Sequence, residues 1–157
     1  MDKSTLSTDL TEDHIEPVLF QCYNNFEEYV AEKGLGFHIH LPEKTISLYR
    51  FDKNRILQLL TILMDNACQY TKTGSITLEA YEQKGHLYLV VADTGCGIKE
   101  QDLTRIFDRF YQGDRAHSNP DHFGLGLSIA AEIVHMHGGT ISVSETAGGG
   151  ATFTVRL

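Results

Sequence analysis

The stretch from Ile76 to Ile98 reads ITLEAYEQKGHLYLVVADTGCGI, and its two halves follow different patterns. Residues Ile76–Tyr81 alternate apolar and polar, as a strand with one buried face does. Leu87–Asp93 is apolar on both faces, which marks a central strand. Lys84 and Gly85 between them predict a hairpin turn. The second strand ends on a carboxylate, Asp93, followed by Gly95 and Gly97. An acid at the end of a buried strand is costly unless it accepts hydrogen bonds. The exocyclic amine of a base is one donor that a flat glycine turn would admit, and the turn's own amides are another.

Upstream, Ile56, Leu59, Leu60, Leu63, Ala67 and Tyr70 form an apolar stripe at helical spacing, with Asp52 placed to cap the helix start. Before it, Phe37–Leu41 and Thr45–Phe51 alternate on either side of Pro42 and predict adjacent strands at the edge of the sheet. Ile15, Leu19, Cys22, Phe26 and Val30 predict an amphipathic helix from about Asp13 to Lys33, stopped by Gly34. Residues 1–11 are polar and read as a tail or linker remnant, leaving 12–157 as the domain. Downstream the reading gives a short helix near 99–106, a loop without periodicity over 107–123, and a helix over Leu125–His137. Strands Thr140–Ser144 and Ala151–Leu157 then flank Gly148, Gly149 and Gly150. The expected fold is a two-layer α/β sandwich: a mixed, mostly antiparallel sheet of about five strands, covered on one face by three helices, with the irregular loop as a mobile lid.

Composition narrows the function. Thirteen Lys and Arg against 21 Asp and Glu give a net charge of −8 over 157 residues, which argues against a surface that tracks nucleic-acid phosphates. No apolar run reaches membrane-spanning length and no signal peptide is evident, so any membrane attachment is expected outside this chain. Cys22, Cys68 and Cys96 are odd in number and lack C-x-x-C spacing, which fits a reducing compartment. Ten of the 14 glycines fall between Gly95 and Gly150. That bias points to close backbone approach in the last third of the chain.

Three further clusters carry chemistry. Asn66 and Tyr70 lie four residues apart on one helix face, and the amide there needs a cation, a phosphate oxygen or a backbone group as partner. Ile106-Phe107-Asp108-Arg109-Phe110-Tyr111 opens the irregular loop, in which Phe107 and Phe110 read as core plugs; Arg109 and Arg115 in this segment and Lys72 outside it are the nearby cations. Gly124-Leu125-Gly126-Leu127-Ser128 opens a helix, where bare N–H groups and the positive end of the helix suit a phosphate. The P-loop pattern is absent from the sequence, and the Rossmann pattern does not fit.

Taken in order, these clusters resemble the N, G1, F and G2 boxes of the ATP-binding catalytic domain of sensor histidine kinases, within the gyrase, chaperone, kinase and MutL superfamily (the Bergerat fold). The resemblance runs from about Ile15 to Leu157 and includes the family's closing helix (Ile133–Ile141) and hairpin (Gly148–Phe153). It implies ATP and Mg²⁺ as ligands, with Asn66 binding the metal and Asp93 accepting from the adenine amine. Gly95 and Gly97 would give the base room, Tyr70 and Ile98 would pack near base and ribose, and Gly124, Leu125, Gly126 and Leu127 would hold the phosphates. Gln69, Lys72, Phe110 and Tyr111 would border the nucleotide, and Arg109 and Arg115 would assist catalysis. It further implies a cytoplasmic domain of a membrane-bound kinase, monomeric alone and homodimeric at full length. Its partners would be its own dimerisation domain, carrying the phosphoacceptor histidine, and a response regulator; nucleic acid is not among them.

The sequence departs from the pattern at Ile62, where the family usually has a second Asn, at Gln69, where it usually has Lys, and at Gln112, where Arg is common. These departures predict weaker ATP binding. Ile62 also stands where the ATP-hydrolysing branches place a Glu, and isoleucine cannot serve as a general base. Transfer to a histidine is therefore favoured over hydrolysis. The alternatives are a nucleotide-binding regulatory module without catalysis and an anti-sigma-factor-type serine kinase. His14, a lone exposed His, resembles a phosphoacceptor only superficially; His38/His40 lack a third metal ligand, and His137 of the His135/His137 pair belongs to the family's His-Gly-Gly helix ending, where a His suits the helix dipole.

Overall fold

The computed structural model describes residues 8–95, 106–107, 125–146 and 149–157. Its elements are β1 (Thr11–Asp13), α1 (Glu16–Glu32), β2 (Gly36–His40), β3 (Tyr49–Phe51), α2 (Lys53–Tyr70), β4 (Ser75–Gln83), β5 (His86–Asp93), α3 (Leu125–Met136), β6 (Thr140–Glu145) and β7 (Ala151–Arg156). Five strands form the main sheet in the order β2-β4-β5-β7-β6, so the strand that is apolar on both faces is central. Only the β2–β4 pair is parallel. The expected two-layer sandwich is what the chain forms.

The register explains the layering. Leu78 pairs with Val91, and Val91 with Phe153, so Ile76, Leu78, Ala80, Leu87, Leu89, Val91, Phe153 and Val155 share one face, and all are buried. Against them pack Leu19, Cys22, Phe26 and Val30 of α1, Leu59, Leu60, Leu63 and Ala67 of α2, and Ala130, Ile133 and Val134 of α3. Among the described residues no helix covers the opposite face, where Tyr81 and Tyr88 pair across β4 and β5 and stack at 4.9 Å. Lys84 (φ 51°) and Gly85 (φ 80°) make the hairpin turn that the sequence predicts. Asp52 caps α2, its Oδ1 accepting from the N–H groups of Asn54 and Arg55 at 2.9 and 3.1 Å.

Two expectations need correction. Residues 45–51 do not form a strand beside β2: only Tyr49–Phe51 is extended in a ladder, and it pairs with β1 in a separate two-stranded sheet. The backbone before it is held by side chains instead. Ile46, fully buried, donates its N–H to Glu16 Oε2 at 2.6 Å, its carbonyl bonds His14 Nδ1 at 3.0 Å, and Ser47 N–H donates to Glu82 Oε2 at 3.1 Å. Alternation reports a buried face, not which sheet the strand joins. Second, regular structure begins before Asp13, because Thr11 pairs with Phe51 and Asp9 donates its N–H to Asp52 Oδ2 at 2.7 Å. His14, considered above as a phosphoacceptor, is part of the clasp on Ile46. The expected 99–106 helix and the lid lie outside the described residues, except that Ile106 is buried and Phe107 packs edge-on to Phe153 at 6.1 Å. Among the described residues, no helix is long and apolar enough to cross a membrane.

Candidate functional site

The site grows from the end of β5. Asp93 is 1% exposed on the helix-facing side of the sheet. Its Oδ1 accepts from Gly95 N–H at 2.9 Å and from Ala151 N–H at 3.2 Å. The first bond is the local turn that the sequence allowed. The second spans 58 residues and ties β5 to the start of β7.

Glycine is required here by contact. A Cβ on Gly95 would stand 2.2 Å from the carbonyl oxygen of Tyr70 and 2.9 Å from Thr71 Oγ1, so the turn lies directly on the end of α2. A Cβ on Gly150, whose φ is +94°, would stand 2.0 Å from the carbonyl oxygen of Asp93. Three segments remote in sequence thus meet backbone to backbone: the end of α2, the turn after β5 and the entry to β7. Thr94 adds a stitch, its hydroxyl accepting from Ser75 N–H at 3.0 Å.

Asn66 sits one turn before Tyr70 on α2. Its Oδ1 is buried and has no hydrogen-bond partner among the described residues, and the same holds for Thr71 Oγ1. Such an acceptor carries an uncompensated desolvation cost unless a ligand meets it. One turn further back, Ile62 Cγ2 lies 3.5 Å from where a Cβ of Gly126 would be, so the first turn of α3 packs beside this stretch of α2. The start of α3, its positive dipole end, therefore meets α2 one turn from Asn66. Gln69 is half-buried on α2, Tyr70 is buried at its end, and Lys72 is exposed just beyond. Gly126 is exposed in α3 and Leu127 is half-buried. Leu125 begins that helix. Gly97, Ile98, Arg109, Phe110, Tyr111, Gln112, Arg115 and Gly124 lie outside the described residues.

The donor set can be tested against a metal. A buried carbonyl oxygen without a partner is a hard ligand of the kind Mg²⁺ takes, and one protein oxygen is enough where phosphates and water supply the rest. Among the described residues no cluster of three His, Cys, Asp or Glu could hold an ion, and His38 and His40 have ring centroids 6.5 Å apart with no third partner. Asn66 fits Mg²⁺ as one oxygen ligand and fits no self-sufficient metal site.

Two thiols lie near this frame without belonging to it. Burial, then the neighbouring Cys68, push the Cys22 thiol up to about 12. Burial likewise pushes Cys68 up to about 11, with Lys33 opposing and Asp65 and Asp93 adding to the rise. Both are inert in the folded protein at neutral pH. Sequence reasoning did not single out Thr71, Gly150 or Ala151 as site residues. The Gly148-Gly149-Gly150 run was the available signal, but it reads equally well as a hairpin tip.

An open sheet with three helices on one face, the Gly95 turn seated on the end of α2 and the start of α3 packed on Ile62 together define the α/β sandwich of the GHKL class. Residues 51–157 match the sequence model of the histidine kinase-, DNA gyrase B- and HSP90-like ATPases, and the chain belongs to that family. It is 35% identical over 161 residues to the sensor protein SrrB of Staphylococcus aureus, a match covering 100% of this chain and 27% of that protein. The chain thus spans about a quarter of the length of the curated relatives it matches. Full-length ShkA in complex with AMPPNP is similar in structure with a TM-score of 0.82 and 30% identity, over 97% of this chain and 31% of that one. The catalytic domain of histidine kinase ThkA has a TM-score of 0.84 over 96% of this chain and 97% of its own; at 24% identity it speaks for the fold.

Proposed function

We propose that this domain binds Mg-ATP between α2 and α3 and donates the γ-phosphoryl group to a histidine on a separate dimerisation domain of a longer sensor kinase. The observation that carries the reading is the buried Oδ1 of Asn66, without a partner among the described residues, on α2 between the turn that meets α3 at Ile62 and the end that meets Gly95 at Tyr70. Asn66 would hold Mg²⁺, which would supply charge neutralisation for the phosphates. The chain's residues do the rest. Asp93 accepts from the adenine amine, held in place by the two N–H groups on its Oδ1. Gly95 seats the Asp93 turn on the end of α2, its missing Cβ facing the Tyr70 carbonyl and not the base. The α3 N–H groups orient the phosphates, and Tyr70 packs beside the nucleoside. The resemblance assigns Gly97, Ile98, Phe110, Tyr111 and Gly124 to the nucleotide, and Arg109 and Arg115 to the developing charge.

In the reaction a histidine nitrogen forms a bond to the γ-phosphorus while the bond to the β–γ bridging oxygen breaks, and ADP leaves. Positioning and charge neutralisation are most of what this step asks of a protein. Ile62 packs against the start of α3 and offers no group to activate water, which supports transfer over hydrolysis. The same residue favours a second reading, a nucleotide-binding regulatory module, because an apolar side chain stands beside the start of α3, where the phosphates would bind. A membrane-bound parent, a homodimeric full-length protein and a response regulator downstream go with the first reading.

Labelled ATP mixed with this domain and the dimerisation domain of its own full-length protein separates the two. Acid-labile, alkali-stable label on the acceptor, abolished by Asn66→Ala and by Asp93→Asn, is the kinase result. Nucleotide binding without label establishes the regulatory module. Alkali-labile, acid-stable label on a protein substrate would indicate a serine kinase.

A further inference from the structure

Helices α2 and α3 lie antiparallel and are tied at both ends of their contact. At one end Gly126 packs on Ile62. At the other, His137, just beyond α3, accepts the N–H of Asp52, the N-cap of α2, on its Nε2 at 3.1 Å. A rise of about 1.5 Å per residue makes the spans Asp52–Ile62 and Gly126–His137 nearly equal, about 15 and 17 Å. The two contacts therefore specify a single register.

The imidazole is fixed in one tautomer. Its Nδ1 lies 2.8 Å from the carbonyl oxygen of Ile133, which can only accept, so Nδ1 carries the proton and Nε2 keeps the lone pair that Asp52 N–H requires. The Asp52 carboxylate is fully engaged elsewhere, with Asn54 and Arg55 N–H on Oδ1 and Asp9 N–H on Oδ2. The segment entering the domain, the start of α2 and the end of α3 thus meet at one node. A slip of α3 along α2 would carry its first turn away from Asn66.

We propose that His137 is a positioning residue: the Asp52 N–H to Nε2 bond holds α3 in register with α2, keeping the first turn of α3 opposite Asn66. The functional consequence rests on the reading that phosphates bind between these helices. A ring that acts only on its own helix end would need the Ile133 bond alone, and that difference is testable. Glutamine can carry an acceptor as far as Nε2 and reach Asp52, whereas asparagine reaches only as far as Nδ1.

The expected result for Mg-AMPPNP titrated at a temperature where all variants are folded is that His137→Gln stays within about twofold of the unmodified domain. His137→Asn and His137→Ala should both weaken binding about fivefold, the effect of one hydrogen bond. Equal affinities for the Gln and Asn variants would overturn the proposal. So would an NMR spectrum of the unmodified domain showing the proton on Nε2. If the unmodified domain bound no nucleotide, the proposed function would fall on its own. The register would then be read from the nuclear Overhauser contact between Ile62 and Gly126, kept in the Gln variant and lost in the other two if the proposal holds.

Discussion

Replacing Asp93 in two ways separates its structural part from its functional one. In Asp93→Ala both N–H groups on Oδ1 lose their acceptor. The Ala151 N–H is buried and costs about 1–3 kcal/mol when stranded, while the Gly95 N–H is partly exposed and costs about 1 kcal/mol or less. The loss is then about 1–4 kcal/mol, a sizeable part of the ~5–15 kcal/mol that holds a typical domain together. Asp93→Asn keeps a carbonyl oxygen for both donors and should lose less than about 1 kcal/mol, the difference between a charged and a neutral acceptor. Its second position becomes an NH₂ group, which opposes the adenine amine donor to donor. Losing one charge-assisted bond of about 1.5–3 kcal/mol weakens Mg-ATP binding about 10- to 150-fold. Urea unfolding reads the first effect and isothermal titration the second. Inosine triphosphate, with a carbonyl where adenine has its amine, should bind the unmodified domain poorly and discriminate little in the Asn variant. If Asp93→Ala unfolds at the same urea concentration as the unmodified domain, the Oδ1 bonds do not support the fold. If Asp93→Asn binds Mg-ATP as tightly as the unmodified domain, Asp93 is not the acceptor of the adenine amine.

Asn66→Ala should leave stability unchanged or raise it slightly, since its buried Oδ1 has no partner to lose, while Mg-dependent nucleotide affinity falls at least about tenfold; unfolding and titration on the same sample check this, and a clear loss of stability would contradict the assignment. Cys22 and Cys68 should resist a thiol reagent at neutral pH until the domain unfolds, so a fast phase larger than one thiol would refute the burial argument. At Asp52 burial works to raise the carboxyl, but the N–H groups of Asp9, Arg55 and Asn54 and the Arg55 charge outweigh it and hold the group below the ordinary carboxylate range. The unfolded chain then binds the extra proton first, so this stabilisation is complete above about pH 4 to 5 and is lost as pH falls through the folded value. Asp52→Asn, which still caps, should show a shallower loss of stability between about pH 5 and 3, and an unchanged slope would count against it.

What was legible in the sequence was whatever a local pattern can encode. The α2 stripe, the Lys84-Gly85 turn and the doubly apolar β5 each carry their own signal, and each forms where expected. β1 was missed because Thr11-Glu12-Asp13 has no apolar alternation; it exists through its partner, β3. Residues 45–48 were misassigned because side chains of Glu16, His14 and Glu82 take the hydrogen bonds a strand neighbour would have taken. Two histidines show the same limit. His14 and His137 read as an exposed ring and a helix-end charge, yet each bonds backbone far away, at Ile46 and Asp52. Sequence spacing gives the type of group at a position and is silent on a partner 32 or 85 residues off.

Gly95 and Gly150 face carbonyl groups rather than side chains, and that difference governs how the site can be altered. Gly95 lies against the Tyr70 carbonyl and Gly150 against the Asp93 carbonyl, so main chain sets the distance between α2, β5 and β7. At Gly150 the positive φ adds a second penalty for any other residue. Apart from the acceptor that Asp93 gives it, a frame built this way does not depend on the groups that meet the ligand. Asn66 contributes no hydrogen bond through its Oδ1, and the acceptor that Asp93 gives to the frame survives in asparagine. Ligand-facing side chains can therefore change with little cost to folding, as the departures at Ile62 and Gln69 illustrate, while the two glycines cannot. Loss of nucleotide binding with the fold intact is then the expected signature of Asn66→Ala and Asp93→Asn, read by titration and urea unfolding on the same sample. Gly95→Ala and Gly150→Ala should lose both together, and either one folding as stably as the unmodified domain would refute the idea that backbone contact sets the frame.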